Sequence, residues 1–256
     1  QVEHGVEPFA QGADVLLVGT VPHTTRRVLE ALPNLKMVGR SGVGVDSVDL
    51  DAATELGICV TNTPGINTSE VADHAMAMLL SITRKIPEQT AALKSGAWSD
   101  RPQEVEKLRG QLRRIAGTTV GIFGLGSIGK AFAIRVRGFG PEKIIAHDPY
   151  VPQTTADLFG VKLVDFDTLL AESDFITVHS PATVETNHIF NIDAFRKMKS
   201  SAIFINCARG PLVDEAGLQE ALETGEIIAA DLGGGEANAR YRGARGVDPE
   251  LIRELE

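Results

Sequence analysis

Three glycines and a downstream carboxylate form the most specific chemical pattern in the chain. The glycines stand in Gly124-Leu-Gly126-Ser-Ile-Gly129, and Asp148 follows the last of them by nineteen residues. Glycines at this spacing permit a tight turn, close approach of the backbone to a pyrophosphate, and close packing of a helix on a strand. A carboxylate at this distance accepts hydrogen bonds from the adenosine ribose hydroxyls. The pattern therefore predicts a dinucleotide site.

The elements that must position this turn are present in the surrounding sequence. Thr119–Phe123 is a short β-rich apolar run, apolar residues recur every three or four positions over residues 128–136, and Lys143–His147 ends directly before Asp148. This order predicts a strand, the glycine turn, a helix that stops at Gly138, and a second strand. The alternative is a glycine turn with a purely structural role. The strand before the turn, the helix after it and the acid at the right distance together disfavour this alternative.

The residues after Asp148 bear on the choice between NAD and NADP. Pro149 and Tyr150 offer no guanidinium to hold a 2′-phosphate, and the carboxylate would repel one. The sequence therefore favours NAD.

Strand-like and helix-like segments alternate along most of the chain, which predicts an α/β fold with parallel strands covered on both faces. Ligands of such sheets bind beyond the carboxyl ends of the strands, and His179, Arg209 and Asp231 fall at predicted strand ends. The other predicted strands cover residues 14–19, 35–39, 57–61, 161–164, 175–179, 201–206 and 227–230. The other predicted helices cover residues 24–32, 50–56, 68–84, 166–172 and 214–224.

Two further segments have open interpretations. The glycine-spaced residues 40–46 leave backbone N–H groups free to face an anion, although on spacing alone a plain strand-to-helix turn explains them better. Residues 86–116 are predicted to be a connector, whose charge-rich part around Trp98 is a solvated arm or a subunit contact. Cys59 is interpreted as a core residue.

Composition excludes several classes of partner. The 256 residues carry a formal net charge of −9 with a pI near 5.2, which argues against nucleic acid or an anionic membrane as the main partner. The first residues lack the pattern of a signal peptide, and no apolar run is long enough to span a bilayer. Cys59 and Cys207 form neither a disulfide framework nor a metal cluster. We therefore expect a cytoplasmic protein without a metal site.

Five stretches together resemble the D-isomer-specific 2-hydroxyacid dehydrogenases, most closely their D-3-phosphoglycerate dehydrogenase branch. They cover residues 35–46, 61–65, 124–129, 177–181 and 206–215. The resemblance implies two Rossmann-like domains: an NAD domain with a doubly wound parallel sheet and a smaller, flavodoxin-like substrate domain. It also implies hydride transfer between NAD and C2 of a small anionic 2-hydroxy or 2-oxo acid.

The same resemblance implies roles for individual residues. Arg209 matches the catalytic arginine, because a guanidinium forks onto the substrate carboxylate and polarises its carbonyl oxygen. Asp231 matches an acid that faces the nicotinamide amide, and Glu236, five residues later, matches the catalytic glutamate. The other cofactor-binding residues implied are Gly124, Gly126, Ser127, Ile128, Gly129, Asp148, His179, Ser180, Pro181, Cys207 and Ala208. The substrate-binding residues implied are Arg40, Ser41, Gly42, Val43, Gly44 and Arg209, with Arg40 near a substrate phosphate.

The sequence departs from the family pattern near its carboxyl end. The family's general acid is a histidine near the carboxyl end, in a Pro-His motif, and no histidine of this chain falls at that position. The usual surroundings of Asp231 and Glu236 are replaced by a glycine run. In an alternative register Gly233 takes the place of the aspartate. Two interpretations stay open: an active enzyme seen here as a piece truncated at both ends, or a catalytically impaired NAD(H)-sensing module. The intact loops around Arg40 and Arg209 favour the first.

The expected organisation is a substrate domain over residues 1–86 without its first strand, an NAD domain over 87–235, and a tail over 236–256 that returns to the substrate domain. The expected function is NAD-dependent oxidoreduction by a homodimer, with 3-phosphoglycerate, glycerate/hydroxypyruvate or glyoxylate as the leading substrates. A phosphite-type dehydrogenase is a remote alternative on the same scaffold.

Overall fold

The computed structural model describes residues 10–232, and the chain divides into two units between Thr68 and Ser69. Both units alternate strands and helices, and the strand pairs formed by residues 10–232 are all parallel. The predicted α/β fold with parallel sheets is therefore confirmed. Each unit has its own hydrophobic core.

The first unit contains a three-stranded sheet in the order β1-β2-β3. The strands are β1 Val15–Val18, β2 Met37–Arg40 and β3 Cys59–Thr61, and the helices are Arg26–Glu30 and Leu50–Glu55. Side chains of both helices pack with the middle strand in one core that includes the fully buried Leu29, Val38 and Ala52. Cys59 was expected in this core, but it is exposed because its position on β3 faces away from the helices.

The second unit contains a six-stranded sheet in the order β6-β5-β4-β7-β8-β9. Its strands are β4 Thr119–Phe123, β5 Lys143–His147, β6 Lys162–Leu163, β7 Phe175–Val178, β8 Ile203–Asn206 and β9 Ala229–Leu232. Its helices are Thr68–Arg84 (assigned here with the unit that contains most of it), Ile86–Lys94, Ala97–Asp100, Pro102–Arg109, Ser127–Arg137, Gln153–Asp157, Phe166–Glu172, Ile192–Lys197 and Glu215–Thr224. The first strand of the unit, β4, lies in the middle, and the chain builds the sheet outward from it in both directions. This is the Rossmann order, whose direction reverses between β4 and β7.

Apolar side chains on both faces of the second sheet form its core. On one face Ile122 packs with Phe132 and Leu79, and on the other face Ile176 packs with Leu169 and Phe204. All six are fully buried. Burial on both faces explains why these strands are continuous apolar runs rather than alternating ones.

The division between the two units differs from the predicted domain boundary. The division follows the first residue of the helix Thr68–Arg84, whereas the sequence analysis placed the domain boundary after this helix, at residue 86. The helix joins the second unit because Ala72, Ala75 and Leu79 are buried in the same core cluster as Phe132. The predicted connector that follows it contains three short helices between Ile86 and Arg109.

Candidate active site

Two of the three glycines of the turn are required by packing inside the chain. Gly124 has φ +92°, and a Cβ there would lie 2.8 Å from the Ser180 backbone nitrogen. A Cβ on Gly129 would overlap the Gly124 carbonyl oxygen. The loop after β4 therefore contacts the loop after β7, and the helix Ser127–Arg137 lies directly on the turn.

No packing contact among the described residues explains why position 126 is a glycine. The next question is therefore whether a diphosphate fits beside it. A Cβ on Gly126 would have no neighbour within 4 Å among the described residues, so these residues leave the space beside it open. It precedes the helix Ser127–Arg137, whose N-terminus has no side-chain cap. The first N–H groups of a helix have no intrahelical acceptor and attract anions. The turn therefore has both the room and the donors that a pyrophosphate needs.

The carboxylate of Asp148 lies against the same turn. Its Oδ2 accepts the Leu125 N–H at 2.8 Å, and its Oδ1 accepts the Tyr150 N–H at 2.9 Å. Each oxygen thus accepts one hydrogen bond from the backbone, and a carboxylate oxygen has the capacity to accept a second. Ser127 and Ile128, the predicted pyrophosphate contacts, are the first two residues of the helix.

His179 follows β7 directly and is held as a neutral imidazole. Its Nε2 lies 3.0 Å from Thr177 Oγ1, and its ring is 5.5 Å from that of Phe132. Its buried Nδ1 has no hydrogen-bond partner in the described part of the chain. Burial of the ring lowers the pKa of His179 to about 3, because a charged imidazole would lose its hydration there. His179 is therefore neutral at pH 7 and cannot act as a proton donor in the way an imidazolium does.

The loop after β8 is shaped by the side chain of Asn206. Asn206 Nδ2 donates to the Arg209 carbonyl at 2.8 Å, and its Oδ1 accepts the Ala208 N–H at 2.9 Å. The Arg209 guanidinium donates through Nη1 to the Ala208 carbonyl at 2.8 Å. Asn206 is only 5% exposed, so this loop is anchored in the sheet rather than free at the surface.

The remaining predicted cofactor residues lie in the loops after β7 and β8 or in β9, and the predicted catalytic glutamate lies outside the described residues. Cys207 Sγ contacts Met78 Sδ at 3.2 Å, and Ser180 Oγ donates to the Pro181 carbonyl at 3.3 Å. Asp231 was expected just after a strand, but it lies within β9, paired with Ile205. The β9 strand begins and ends two residues later than predicted, which moves Asp231 inside it. Glu236 lies outside the described residues.

The predicted substrate loop belongs to the first unit and is organised by Arg40. Its Nη1 donates to the Ser41 carbonyl at 2.6 Å, and its Nη2 donates to Thr20 Oγ1 at 3.0 Å. Its buried Nε has no hydrogen-bond partner among residues 10–232. A Cβ on Gly42, at φ +155°, would overlap the guanidinium. Arg40 is 7% exposed, so the loop is wrapped around a buried cation.

Sequence reasoning did not assign Asn206 or Thr20 to the site. Each is a small polar residue at or near the end of a strand, Asn206 at the end of β8 and Thr20 two residues after β1. An Asx side chain at such a place can bond the following loop, and that was the available signal for Asn206. Thr20 instead accepts from the Arg40 guanidinium, twenty residues later, which leaves no local pattern in the sequence. Within residues 10–232 no group of three or more His, Cys, Asp or Glu side chains could hold a metal ion.

A parallel sheet of Rossmann order, with an open glycine turn at its point of reversal and an acid at the end of the next strand, defines a dinucleotide-binding protein. Residues 76–236 match the family described as D-isomer specific 2-hydroxyacid dehydrogenase, NAD binding domain. The chain belongs to this family, as the sequence resemblance predicted. NAD is its cofactor.

The curated relatives are metabolic dehydrogenases and reductases. The chain is 44% identical to a D-3-phosphoglycerate dehydrogenase of Archaeoglobus fulgidus over 220 residues, which are 86% of this chain and 40% of the relative. It is 42% identical to a hydroxypyruvate reductase of Thermotoga maritima over 219 residues, which are 86% of this chain and 68% of that one. The chain thus spans about two fifths of the first relative's length. These matches give no support to the impaired-sensor alternative.

Solved structures of similar fold include two with NAD bound. A D-lactate dehydrogenase from Aquifex aeolicus, in complex with NAD and lactic acid, matches with a TM-score of 0.81 and 30% identity, over 90% of this chain and 67% of that chain. An NAD-dependent formate dehydrogenase from Staphylococcus aureus, in complex with NAD, matches with a TM-score of 0.81 and 33% identity, over 92% and 70%. In the described part of this chain, no helix is long and apolar enough to cross a bilayer.

Proposed function

We propose that the protein is an NAD-dependent oxidoreductase of a small D-2-hydroxy or 2-oxo acid, with 3-phosphoglycerate, hydroxypyruvate/glycerate and glyoxylate as the leading substrates. The observation that carries the proposal is the arginine loop after β8. Asn206 holds this loop at the same sheet edge as the glycine turn, so a guanidinium and a dinucleotide site share that edge. Bound NAD would supply or accept the hydride at its nicotinamide ring.

The cofactor is proposed to lie across the loops after β4, β5, β7 and β8. The N–H groups of Ser127 and Ile128 would donate to the pyrophosphate, and the carboxylate of Asp148 would accept from the ribose hydroxyls. The residues proposed to line the nicotinamide half are His179, Ser180, Pro181, Cys207, Ala208 and Asp231.

Arg209 is proposed as the catalytic residue. Its guanidinium would fork onto the substrate carboxylate and stabilise the negative charge that develops on the carbonyl oxygen during reduction. That oxygen must also gain a proton, and His179 does not supply it near pH 7, because its pKa lies near 3. Glu236 is proposed to assist the proton donor.

The loop of Arg40 is proposed to hold a substrate anion in the first unit. The acceptors of the buried Arg40 guanidinium among residues 10–232 are one carbonyl and one hydroxyl, both neutral. Buried cations normally pair with an anion, which a substrate carboxylate or phosphate would provide. Val43 and Gly44 would add backbone N–H donors. The first unit is accordingly proposed to be the substrate domain, and the second unit is proposed to be the NAD domain.

We also propose a cytoplasmic homodimer. Support comes from the short helices between Ile86 and Arg109, which expose Ile86, Leu93 and Trp98 to solvent. Sedimentation analysis would measure the oligomeric state, and a monomer at micromolar concentration would contradict this part of the proposal.

The function is tested by NADH oxidation against a panel of 2-oxo acids, with and without a phosphate group. We expect turnover that Arg209→Ala reduces by at least about a hundredfold, the effect of losing one charged stabilising group. Binding of NADH, followed by its fluorescence, should change little in this variant. Tight NADH binding without turnover of any acid would refute the proposal for this chain.

A further inference from the structure

Asp148 bonds to the glycine turn itself as well as to the loop that follows β5. Two consecutive N–H groups of the turn are tied to the end of β5: that of Gly124 donates to the His147 carbonyl at 3.0 Å, and that of Leu125 donates to Asp148 Oδ2 at 2.8 Å. The next residues, beginning with Gly126, lead into the uncapped helix N-terminus. These two hydrogen bonds thus fix the backbone of the turn immediately before the N–H groups that would bind the anion.

We propose that Asp148 is a positioning residue for the pyrophosphate-binding turn, in addition to its contact with the ribose. The inference rests on the proposed cofactor site and deepens it. One carboxylate, through two oxygens, would serve both halves of the adenosine diphosphate: bonds to the backbone fix the donors for the phosphates, and the remaining acceptor positions take the ribose hydroxyls.

Loss of this carboxylate has a physical cost at Leu125. The Leu125 residue is fully buried, so its N–H cannot turn to solvent without moving the turn. A buried donor that loses its acceptor is costly to leave unpaired. The turn must therefore shift to find another acceptor, and the N–H groups that follow it shift with it.

A pair of probes separates the two roles. ADP carries the ribose hydroxyls and the diphosphate, whereas 2′,3′-dideoxy-ADP carries the diphosphate but no hydroxyls for Asp148 to accept from. Affinities of both are measured by calorimetry on the full chain for the wild type, Asp148→Ala, Asp148→Asn and the control Tyr150→Ala. The control keeps its backbone N–H and removes only a side chain that is 89% exposed.

We expect the affinity for dideoxy-ADP to fall about tenfold in Asp148→Ala, the effect of one lost hydrogen bond to the turn. Asp148→Asn should recover part of that loss, since its amide oxygen can still accept the Leu125 N–H. ADP should lose more than dideoxy-ADP in both variants, because the ribose contacts are lost as well. Tyr150→Ala should bind both probes as the wild type does.

Hydrogen exchange at the Leu125 amide provides a second measurement that needs no ligand. We expect faster exchange at this amide in Asp148→Ala than in the wild type, with Asp148→Ser as the second variant if the alanine chain does not fold. Equal affinity for dideoxy-ADP in the wild type and in Asp148→Ala, with unchanged exchange at Leu125, would overturn the inference and confine Asp148 to the ribose. A wild-type chain that binds neither probe would refute the proposed cofactor site.

Discussion

The three glycines of the turn are present for different physical reasons. Gly124 and Gly129 are explained by contacts inside the chain, whereas Gly126 borders open space. A motif whose three glycines look equivalent in the sequence therefore divides into two positions that stabilise the fold and one that keeps room for a ligand.

This division predicts opposite behaviour for two alanine substitutions. Gly129→Ala should reduce the free energy of unfolding by about 1–3 kcal/mol, because its Cβ overlaps a backbone carbonyl. Gly126→Ala should keep the wild-type stability within about 0.5 kcal/mol and still lose NADH affinity by about tenfold or more. Urea unfolding and NADH fluorescence measure the two effects. Equal loss of stability in both variants would contradict this account of the turn.

The lowered pKa of His179 predicts that the free energy of unfolding depends on pH. Its pKa is near 3 in the folded chain and near the ordinary 6.5 in the unfolded chain. Between these values the unfolded chain binds a proton that the folded chain does not, so the stabilisation is complete above pH 6.5 and is lost as the pH falls toward 3.

The measurement compares urea unfolding of the wild type and of His179→Gln between pH 7 and pH 4. We expect the free energy of unfolding to fall more steeply with decreasing pH in the wild type, by up to about 1.4 kcal/mol per pH unit. Parallel curves for the two chains would show that the imidazole is not held neutral.

At the scale of elements, the loops at the carboxyl ends of the strands are positioned by side chains in the strands. The loop after β8 depends on Asn206, whose amide supplies both a donor and an acceptor to the backbone of residues 208 and 209. Because β8 is buried between β7 and β9, these hydrogen bonds hold the backbone of Arg209 in a fixed position relative to the sheet.

Asn206→Asp is a nearly isosteric test of this link. The carboxylate can still accept the Ala208 N–H, but it cannot donate to the Arg209 carbonyl and would repel it. We expect a loss of about 1–3 kcal/mol in the free energy of unfolding, the range for a buried polar group left unpaired, and lower turnover of 2-oxo acids. Asn191→Ala, which removes the cap bond to the Ala194 N–H at the amino end of another helix, is the control for stability alone. If turnover in Asn206→Asp matched that of the control, Arg209 would not depend on this amide.

The sequence predicts an element accurately only where the apolar pattern of that element is long enough and turn residues mark its ends. The helix Phe166–Glu172 and the strands β4 and β5 have their predicted bounds, because buried apolar runs and turn residues frame them clearly. The helix Ile192–Lys197 was not predicted, since it is only six residues long and its apolar pattern is too short to recognise. Residue contacts across long sequence separations, such as that between Gly124 and Ser180, leave no local pattern at all.

At the scale of the whole molecule, the two units have separate cores, and the predicted cofactor residues among residues 10–232 lie in the second unit. The sequence analysis placed the domain boundary after the helix Thr68–Arg84, whereas the division between the two units lies at the start of this helix. Hydrophobic periodicity shows that a helix has a buried face, and it does not show which core that face joins. Only the packing of Leu79 with Phe132 settles this.

Separate cores predict a local response to the cofactor. NADH at a hundred times its dissociation constant should stabilise the unit that binds it by about 2.7 kcal/mol. Hydrogen exchange in β4, β5 and β7 should therefore slow markedly on addition of NADH, whereas exchange in β1–β3 should slow less. NADH together with a substrate acid serves as the comparison. Equal slowing in both sheets with NADH alone would show that the units unfold as one.

The shortness of β6 has a consequence for behaviour at high concentration. This edge strand has two residues, Lys162 and Leu163, and the lysine is exposed. A long, flat and apolar edge would offer a row of unpaired amides to a strand from another molecule, which is a common start of aggregation. Two residues and a positive charge make a poor template for such pairing, so this margin of the sheet should resist sheet-to-sheet polymerisation even when the protein is crowded.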